Sequence, residues 1–125
     1  MSTFKRFEEI EAWQLGRELT QHVYAASRSG DFARDFALRD QIRRAAISVT
    51  SNIAEGFERR SRREFCRFLD IAKASNAEVR SQLYVALDEG YLSTADFDAL
   101  YELSSHVGAK LGSLLRYLRS TRQPT

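Results

Sequence analysis

Residues 62–89 read RREFCRFLDIAKASNAEVRSQLYVALDE. Apolar residues recur in this stretch mostly every three or four positions: Phe65, Phe68, Leu69, Ala72, Val79, Leu83 and Leu87. That spacing places them on one face of an amphipathic helix, with the polar residues facing away. Ser61 followed by Glu64 is typical of a capping box, and Gly90 is typical of a C-terminal cap. The stretch therefore predicts one long helix with a single buried face.

The same apolar period recurs in three other stretches, at about residues 11–28, 37–55 and 94–119. Their apolar positions are, in chain order, Ala12, Leu15, Leu19, Val23 and Ala26; Leu38, Ile42, Ala45, Val49 and Ile53; and Phe97, Leu100, Ser104, Val107, Leu111, Leu114 and Leu118. Gly30 and Gly56 are interpreted as C-terminal caps, and Asp35 and Ser93 as N-terminal caps. Because short connections favour antiparallel neighbours, the sequence predicts an all-α, antiparallel up-down-up-down four-helix bundle.

The length and composition indicate one domain. The 125 residues match the usual size of a domain, and we expect residues 1–10 to form an N-terminal arm and residues 120–125 a disordered tail. No apolar run reaches the roughly 18–20 residues that span a bilayer, and no signal-peptide pattern opens the chain. The single cysteine, Cys66, excludes an internal disulfide. We therefore expect a cytoplasmic domain, residues 1–125, with no membrane partner.

Charge is segregated along the chain. Residues 39–67 contain eight arginines against four acids, and residues 110–125 contain four cations and no acid. Alternating helix directions bring the loop at residues 56–61, the N-terminal arm and the cations at 116–122 to one end of the bundle, which we call the basic end. The predicted nucleic-acid-binding residues of the basic end are Lys5, Arg6, Arg59, Arg60, Arg62, Arg63, Arg67, Arg116 and Arg119, with Arg122 beyond them. The opposite, acidic end is expected to hold Asp31, Asp35, Asp88, Glu89, Asp96 and Asp98.

The arginine run at residues 59–63 is the strongest functional candidate. Arginine forks suit phosphate oxygens, and free backbone N–H groups at the start of the third predicted helix would add donors. Phe4, Phe7 and Phe57 could stack on bases there, although packing in the core or at a subunit seam is favoured for each. The alternative is a solvated turn without a ligand.

A second set of polar residues follows the apolar stripes of the second and third predicted helices. Its members are Arg39, Arg43, Arg44, Ser51, Asn52, Glu55, Glu78 and Gln82. A turn near residues 58–59 would place Arg39 opposite Glu78 and Arg43 near Ala74. We expect Glu78 to be buried or at a subunit seam, paired with Arg39 or Arg43, because such polar groups fix register. A ligand site is the alternative.

The sequence indicates no enzyme, cofactor or metal. His22 and His106 lie on different predicted helices, and the Glu-x-x-His pair of di-iron bundles is missing. No glycine-rich phosphate loop is present. Cys66 lies among Phe65 and Phe68, where a small buried residue is favoured over a nucleophile.

Several segments together carry a family resemblance. They are QIRRAAISVTSNIAEG at 41–56, RRSRREFCRFL at 59–69, ASNAEVRSQL at 74–83 and DEGYL at 88–92. With Trp13 and Gln14, they make the chain resemble, from about Phe7 to Leu118, the bacterial four-helix bundle proteins encoded in intervening sequences of large-subunit ribosomal RNA genes. That family is similar to the accessory proteins of diversity-generating retroelements, which bind nucleic acid and a reverse transcriptase.

The resemblance implies a ring-shaped homopentamer and, by analogy, a partner protein such as a reverse transcriptase. A row of small residues, Ser105, Gly108 and Gly112, fits either close packing inside the bundle or a subunit seam. We therefore expect a non-enzymatic, oligomeric four-helix bundle that binds nucleic acid, with RNA favoured, through its basic end. The alternative is a protein-interaction or scaffold module that binds no nucleic acid.

Overall fold

The computed structural model describes residues 4–120, and within them all regular structure is helical. A 3₁₀ turn at Phe7–Glu9 precedes α1 (Glu11–Ala26), the short α2 (Gly30–Arg34), α3 (Phe36–Glu58), α4 (Arg62–Asp88) and α5 (Thr94–Ser120). Helix α3 packs against α1 and α4, and α5 packs against α4 and α1. The four long helices thus form a closed antiparallel bundle. Of the predicted tail at 120–125, Ser120 still belongs to α5, and residues 121–125, including Arg122, lie outside the described residues.

The predicted apolar stripes form the core of this bundle. Ile42, Val49, Leu69, Val79 and Leu83 are at most 1% exposed. In α5 the predicted core position Leu114 is only half-buried, and the next residue, Leu115, is buried in its place. No helix within residues 4–120 is both long enough and apolar enough to cross a membrane.

The connection between α1 and α3 contains a helix that the sequence analysis did not predict. Helix α1 ends at Ala26, and Gly30, with φ of 69°, opens α2 instead of capping the first helix. Helix α2 forms because it buries Phe32 under the Tyr91 ring, 5.4 Å away between centroids. Asp35 then caps α3 as predicted, because its Oδ1 accepts from the Leu38 amide at 3.1 Å. Its second oxygen accepts from the Tyr91 hydroxyl at 2.9 Å.

The interpretation of Gly56 as a helix cap is wrong. Gly56 lies buried inside α3, and the left-handed residue of the turn is Arg60, with φ of 60°. A Cβ added at Gly56 would lie 2.5 Å from Cβ of Phe68. The glycine therefore serves the close approach of α3 and α4, and α3 continues to Glu58.

This longer helix changes the register between α3 and α4. Ser48 contacts Ser75, with 2.8 Å between the hydroxyl oxygens. Nearer the acidic end, Gln82 donates to Gln41 at 3.4 Å. The predicted pairing of Arg39 with Glu78 is therefore wrong, because the turn lies further along the chain than expected and Glu78 is more than one helical turn from Arg39.

One hydrogen-bonded polar pair lies in the core between α4 and α5. The Asn76 amide donates to the Ser104 carbonyl, and the Ser104 hydroxyl donates to Asn76 Oδ1, both at 2.9 Å. Both residues are fully buried. A Cβ added at Gly108 would lie 3.2 Å from Asn76 Nδ2. Gly108 thus makes room for this pair within the bundle, whereas a Cβ at Gly112 would meet only the Arg116 side chain of its own helix.

We expect substitutions of two helical glycines to have opposite effects. Gly56→Ala should lower the free energy of unfolding by about 1–3 kcal/mol, because the new methyl group collides with Phe68. Gly112→Ala should raise it by about 0.5–1 kcal/mol, because alanine favours the helix and only a flexible side chain lies nearby. Urea denaturation followed by circular dichroism measures both. Equal effects of the two substitutions would contradict the proposed close approach.

Candidate nucleic-acid interface

An arginine-lined groove lies where the first turns of α4 meet the last turn of α5. Its volume is about 610 Å³, and it is lined by Arg62, Arg63, Cys66, Arg67, Asp70, Leu118 and Arg119. The antiparallel course of α4 and α5 brings Arg119 to this place. Four guanidinium groups against one carboxylate make the groove cationic, as expected for an anion-binding surface.

Three of the four lining arginines already have partners. Arg62 donates from Nη1 to the Leu118 carbonyl at 2.7 Å, so it caps the C-terminal end of α5. Arg119 donates to the Asp70 carboxylate, and this hydrogen bond raises the pKa of Arg119. Arg67 pairs with Glu64 at 3.2 Å, and the hydrogen bond from Arg67 lowers the pKa of Glu64.

Phe68 lies beneath two of the arginines. The guanidinium carbon of Arg59 is 5.0 Å from its ring centroid and that of Arg67 is 4.5 Å, within the range of cation–π contacts. Arg59 also pairs with Glu55 at 2.9 Å. The ring is buried, so it orders these two side chains but offers no face for a base.

Arg60 and Arg63 differ from their neighbours. Both are exposed, and within residues 4–120 the side chain of neither makes a hydrogen bond or a close ion pair. Arg63 lines the groove, and Arg60 lies in the turn that precedes α4. These two cations can therefore bind an external anion without first breaking an internal contact.

The remaining predicted cations lie at the same end but outside the groove. Lys5 and Arg6 belong to the N-terminal arm, where Arg6 pairs with Glu8 at 3.4 Å. Arg116 donates to Ser113 at 3.3 Å. None of the three lines the groove. Their contribution to an anion-binding surface is therefore long-range charge.

The three phenylalanines of the basic end pack on protein instead of forming a base platform. The Phe7 ring meets the Trp13 ring edge-on at 5.3 Å, and the Phe57 ring meets the Phe65 ring in the same manner at 5.9 Å. Phe4 is half-buried against the core. The core packing that the sequence favoured for these three residues is confirmed.

Residues 8–113 match the model of the 23S rRNA-intervening sequence protein family. The chain belongs to this family. The match includes the α4 side of the arginine groove and ends before Arg116 and Arg119, so the α5 side lies beyond it. No curated protein sequence matches the chain.

The fold is shared with a solved structure of a protein of unknown function from the S23 ribosomal protein family of Bacteroides thetaiotaomicron. That protein is 21% identical to this chain, with a TM-score of 0.77. The alignment covers 84% of this chain and 95% of that chain. At this identity the likeness extends to the fold alone.

The second predicted polar set is largely not buried in this 23S rRNA-intervening sequence protein. Arg44, Ser51, Glu55 and Glu78 are exposed, and within the described chain Glu78 has no ion pair. Neighbouring positions such as Ala45 and Val79 occupy the buried faces of α3 and α4, so these four side chains face outward. The proposed pair of Glu78 with Arg39 or Arg43 is therefore wrong, while a seam location for Glu78 stays a prediction.

The other members of that set have local or inter-helix partners. Arg43 donates to Ser27 Oγ at 2.8 Å and lies over the Tyr24 ring, 4.3 Å from its centroid. Arg39 donates to the Ala33 carbonyl at 3.0 Å. These two arginines thus hold the α1–α2–α3 connections.

Asn52 donates to the Ser48 carbonyl at 2.8 Å and to its hydroxyl at 2.9 Å, next to Ser75. Gln82 is half-buried beside Gln41, and its Oε1 has no hydrogen-bond partner within residues 4–120. These polar contacts between α3 and α4 are uncharged, unlike the predicted ion pair.

Sequence reasoning missed two residues of consequence, Asp70 and Asn76. Asn76 lies between Ala72 and Val79 in the buried phase of α4, and that spacing is a signal that could have found it. Asp70 carries no such signal, because its partner Arg119 is distant in sequence. Residues 4–120 hold no group of three or more His, Cys, Asp or Glu residues that could bind a metal ion.

Glu78→Ala should change the free energy of unfolding by less than about 0.5 kcal/mol, because the carboxylate is exposed and has no ion pair within residues 4–120. Thermal and urea melts measure this change. A loss of about 3 kcal/mol or more, at a concentration where copies associate, would instead place Glu78 in a buried pair between subunits.

Proposed function

We propose that this 23S rRNA-intervening sequence protein is a non-enzymatic, cytoplasmic RNA-binding protein that contacts RNA through the arginine groove. The observation that carries the proposal is the pair Arg60 and Arg63, two exposed cations whose side chains have no partner within residues 4–120. They lie at a groove lined by three further arginines. Guanidinium groups donate forked hydrogen bonds to phosphate oxygens. A polyanion is therefore the ligand that this surface fits best.

Charge distribution supports RNA over a neutral ligand. The net charge of the whole chain is only +2, so attraction depends on where the cations lie. The arginine groove concentrates cations at one end of the bundle, and such focusing orients a polyanion before contact. Family membership is consistent with RNA but does not identify an activity.

The alternative function is a scaffold that binds protein. Its support is the exposed apolar surface of Phe36, Ile47, Ile71, Tyr84 and Val85.

The same surface fits association between copies, and we propose that the chain forms a ring-shaped homo-oligomer, with the pentamer favoured by the family resemblance. Such contacts remove apolar side chains from water, and this burial is the usual source of stability in permanent interfaces. A reverse transcriptase or a similar partner protein belongs to this second proposal.

We expect the double substitution Arg60→Glu with Arg63→Glu to weaken RNA binding by at least about tenfold at low salt, because two phosphate contacts are replaced by repulsion. Arg62 is left intact because it caps α5. Fluorescence anisotropy with a labelled oligouridylate across a salt series measures affinity and slope. The parent should lose affinity with salt, with a log–log slope of about −0.7 per neutralised phosphate.

The matched control is the double substitution Asp96→Arg with Asp98→Arg at the acidic end, which should not weaken binding. Circular dichroism melts confirm that each variant is folded. The proposal fails if the parent does not bind RNA at low salt, or if the Arg60→Glu, Arg63→Glu protein binds as tightly as the parent.

Light scattering should give a mass of several times the chain mass of 14.3 kDa, and five times that value for a pentamer. The physical reason is the exposed apolar surface, which a single bundle leaves in contact with water. A monomer mass at micromolar concentration would contradict the oligomer.

A further inference from the structure

Asp70 is the single carboxylate among the residues that line the arginine groove. It lies on α4 beside Arg67, and its carboxylate binds the Arg119 guanidinium from α5. Among the lining residues it is therefore the one group whose charge matches that of the proposed ligand.

Burial does not explain this ion pair. The side chains of Asp70 and Arg119 are 50% and 54% exposed. Exposed pairs contribute little to folding stability, because water solvates both groups nearly as well when they are apart. A carboxylate in a cationic groove does, however, repel a second anion at close range. The pair thus has a larger effect on what the groove binds than on whether the chain folds.

We infer that Asp70 occupies, in the free protein, the position on Arg119 that a backbone phosphate takes in the complex. This inference rests on the proposed RNA-binding function and deepens it. A phosphate group that enters the groove displaces the Asp70 carboxylate and accepts the hydrogen bonds of Arg119. Asp70 therefore acts as an internal competitor that lowers the affinity of the groove for every anion.

The number of arginine contacts that an anion makes determines how readily it displaces Asp70. A single small anion gains only the Arg119 contact and has to break the contact with Asp70 to do so. A nucleic-acid backbone reaches Arg60 and Arg63 with its neighbouring phosphates, and those contacts offset the loss of the internal pair. The groove consequently prefers a chain of phosphates to free phosphate or a mononucleotide.

The lining residues also determine which part of the nucleic acid the groove contacts. None of them carries an aromatic ring, and the nearby Phe68 ring is buried beneath Arg59 and Arg67. Base-edge and stacking contacts give sequence preference, whereas phosphate contacts do not. The groove therefore binds the sugar–phosphate backbone irrespective of base sequence.

The test is Asp70→Asn, which removes the charge and keeps the size of the side chain. Anisotropy with a labelled oligouridylate should show about five- to tenfold tighter binding than the parent at low salt, and a salt slope steeper by up to about 0.7. An oligoadenylate of equal length should show the same gain.

Two further variants separate displacement from a general charge effect. Glu78→Gln removes one exposed, unpaired carboxylate from the same helix and should leave affinity and slope unchanged. Adding Arg119→Gln to Asp70→Asn should abolish the gain, because the freed guanidinium is what the phosphate binds. Unchanged or weaker binding by folded Asp70→Asn protein overturns the inference, as does an equal gain in Glu78→Gln or a gain that survives Arg119→Gln.

A measurement on the unmodified protein covers the case in which the variant does not fold. The ¹H–¹⁵N side-chain resonance of Arg119 should shift on titration with oligouridylate, and an unmoved resonance overturns the inference. The two proposals fail separately. If Arg60→Glu, Arg63→Glu weakens RNA binding but Asp70→Asn does not strengthen it, only the inference about Asp70 is wrong. If neither the parent nor the variant binds RNA, both proposals are wrong.

Discussion

The close approach of α3 and α4 at Gly56 and Phe68 is the constraint on which the rest of the structure depends. Because Gly56 lacks a Cβ, the two helices meet near their connection and α3 continues to Glu58. The turn is then forced through Arg60, in a left-handed conformation that is unfavourable for a residue with a side chain. The position of this turn determines the register of Ser48 with Ser75, and it starts α4 where Arg62 reaches the end of α5.

Much of the fold could be predicted from apolar spacing, since the stripes of α3 and α4 are the buried faces observed. What could not be predicted depends on contacts between residues distant in sequence. Gly56 looks like a cap until Phe68 is known to face it, and α2 forms because Phe32 finds Tyr91. Of the candidate site, the arginine cluster was accessible to sequence reasoning. The division of that cluster into paired and unpaired arginines was not, because it depends on partners such as Leu118 and Asp70.

The division into paired and unpaired arginines limits how many of them are available to bind an external anion. Most cations of the basic end are already engaged: Arg62 by a helix carbonyl, Arg67 by Glu64 and Arg119 by Asp70. The surface that faces an external partner is therefore smaller than the composition suggests. Counting arginines overestimates the binding surface, whereas counting arginines without internal partners indicates where an anion is recognised.

The two oxygens of Asp35 have a consequence at the opposite end of the bundle. One oxygen caps α3 and the other holds Tyr91, which belongs to the connection between α4 and α5. A single side chain thus joins two loops that are far apart in sequence, and neither loop can open without weakening the other. Hydrogen exchange at this end should consequently report one cooperative opening of both loops, as in a small foldon, instead of two independent fraying events.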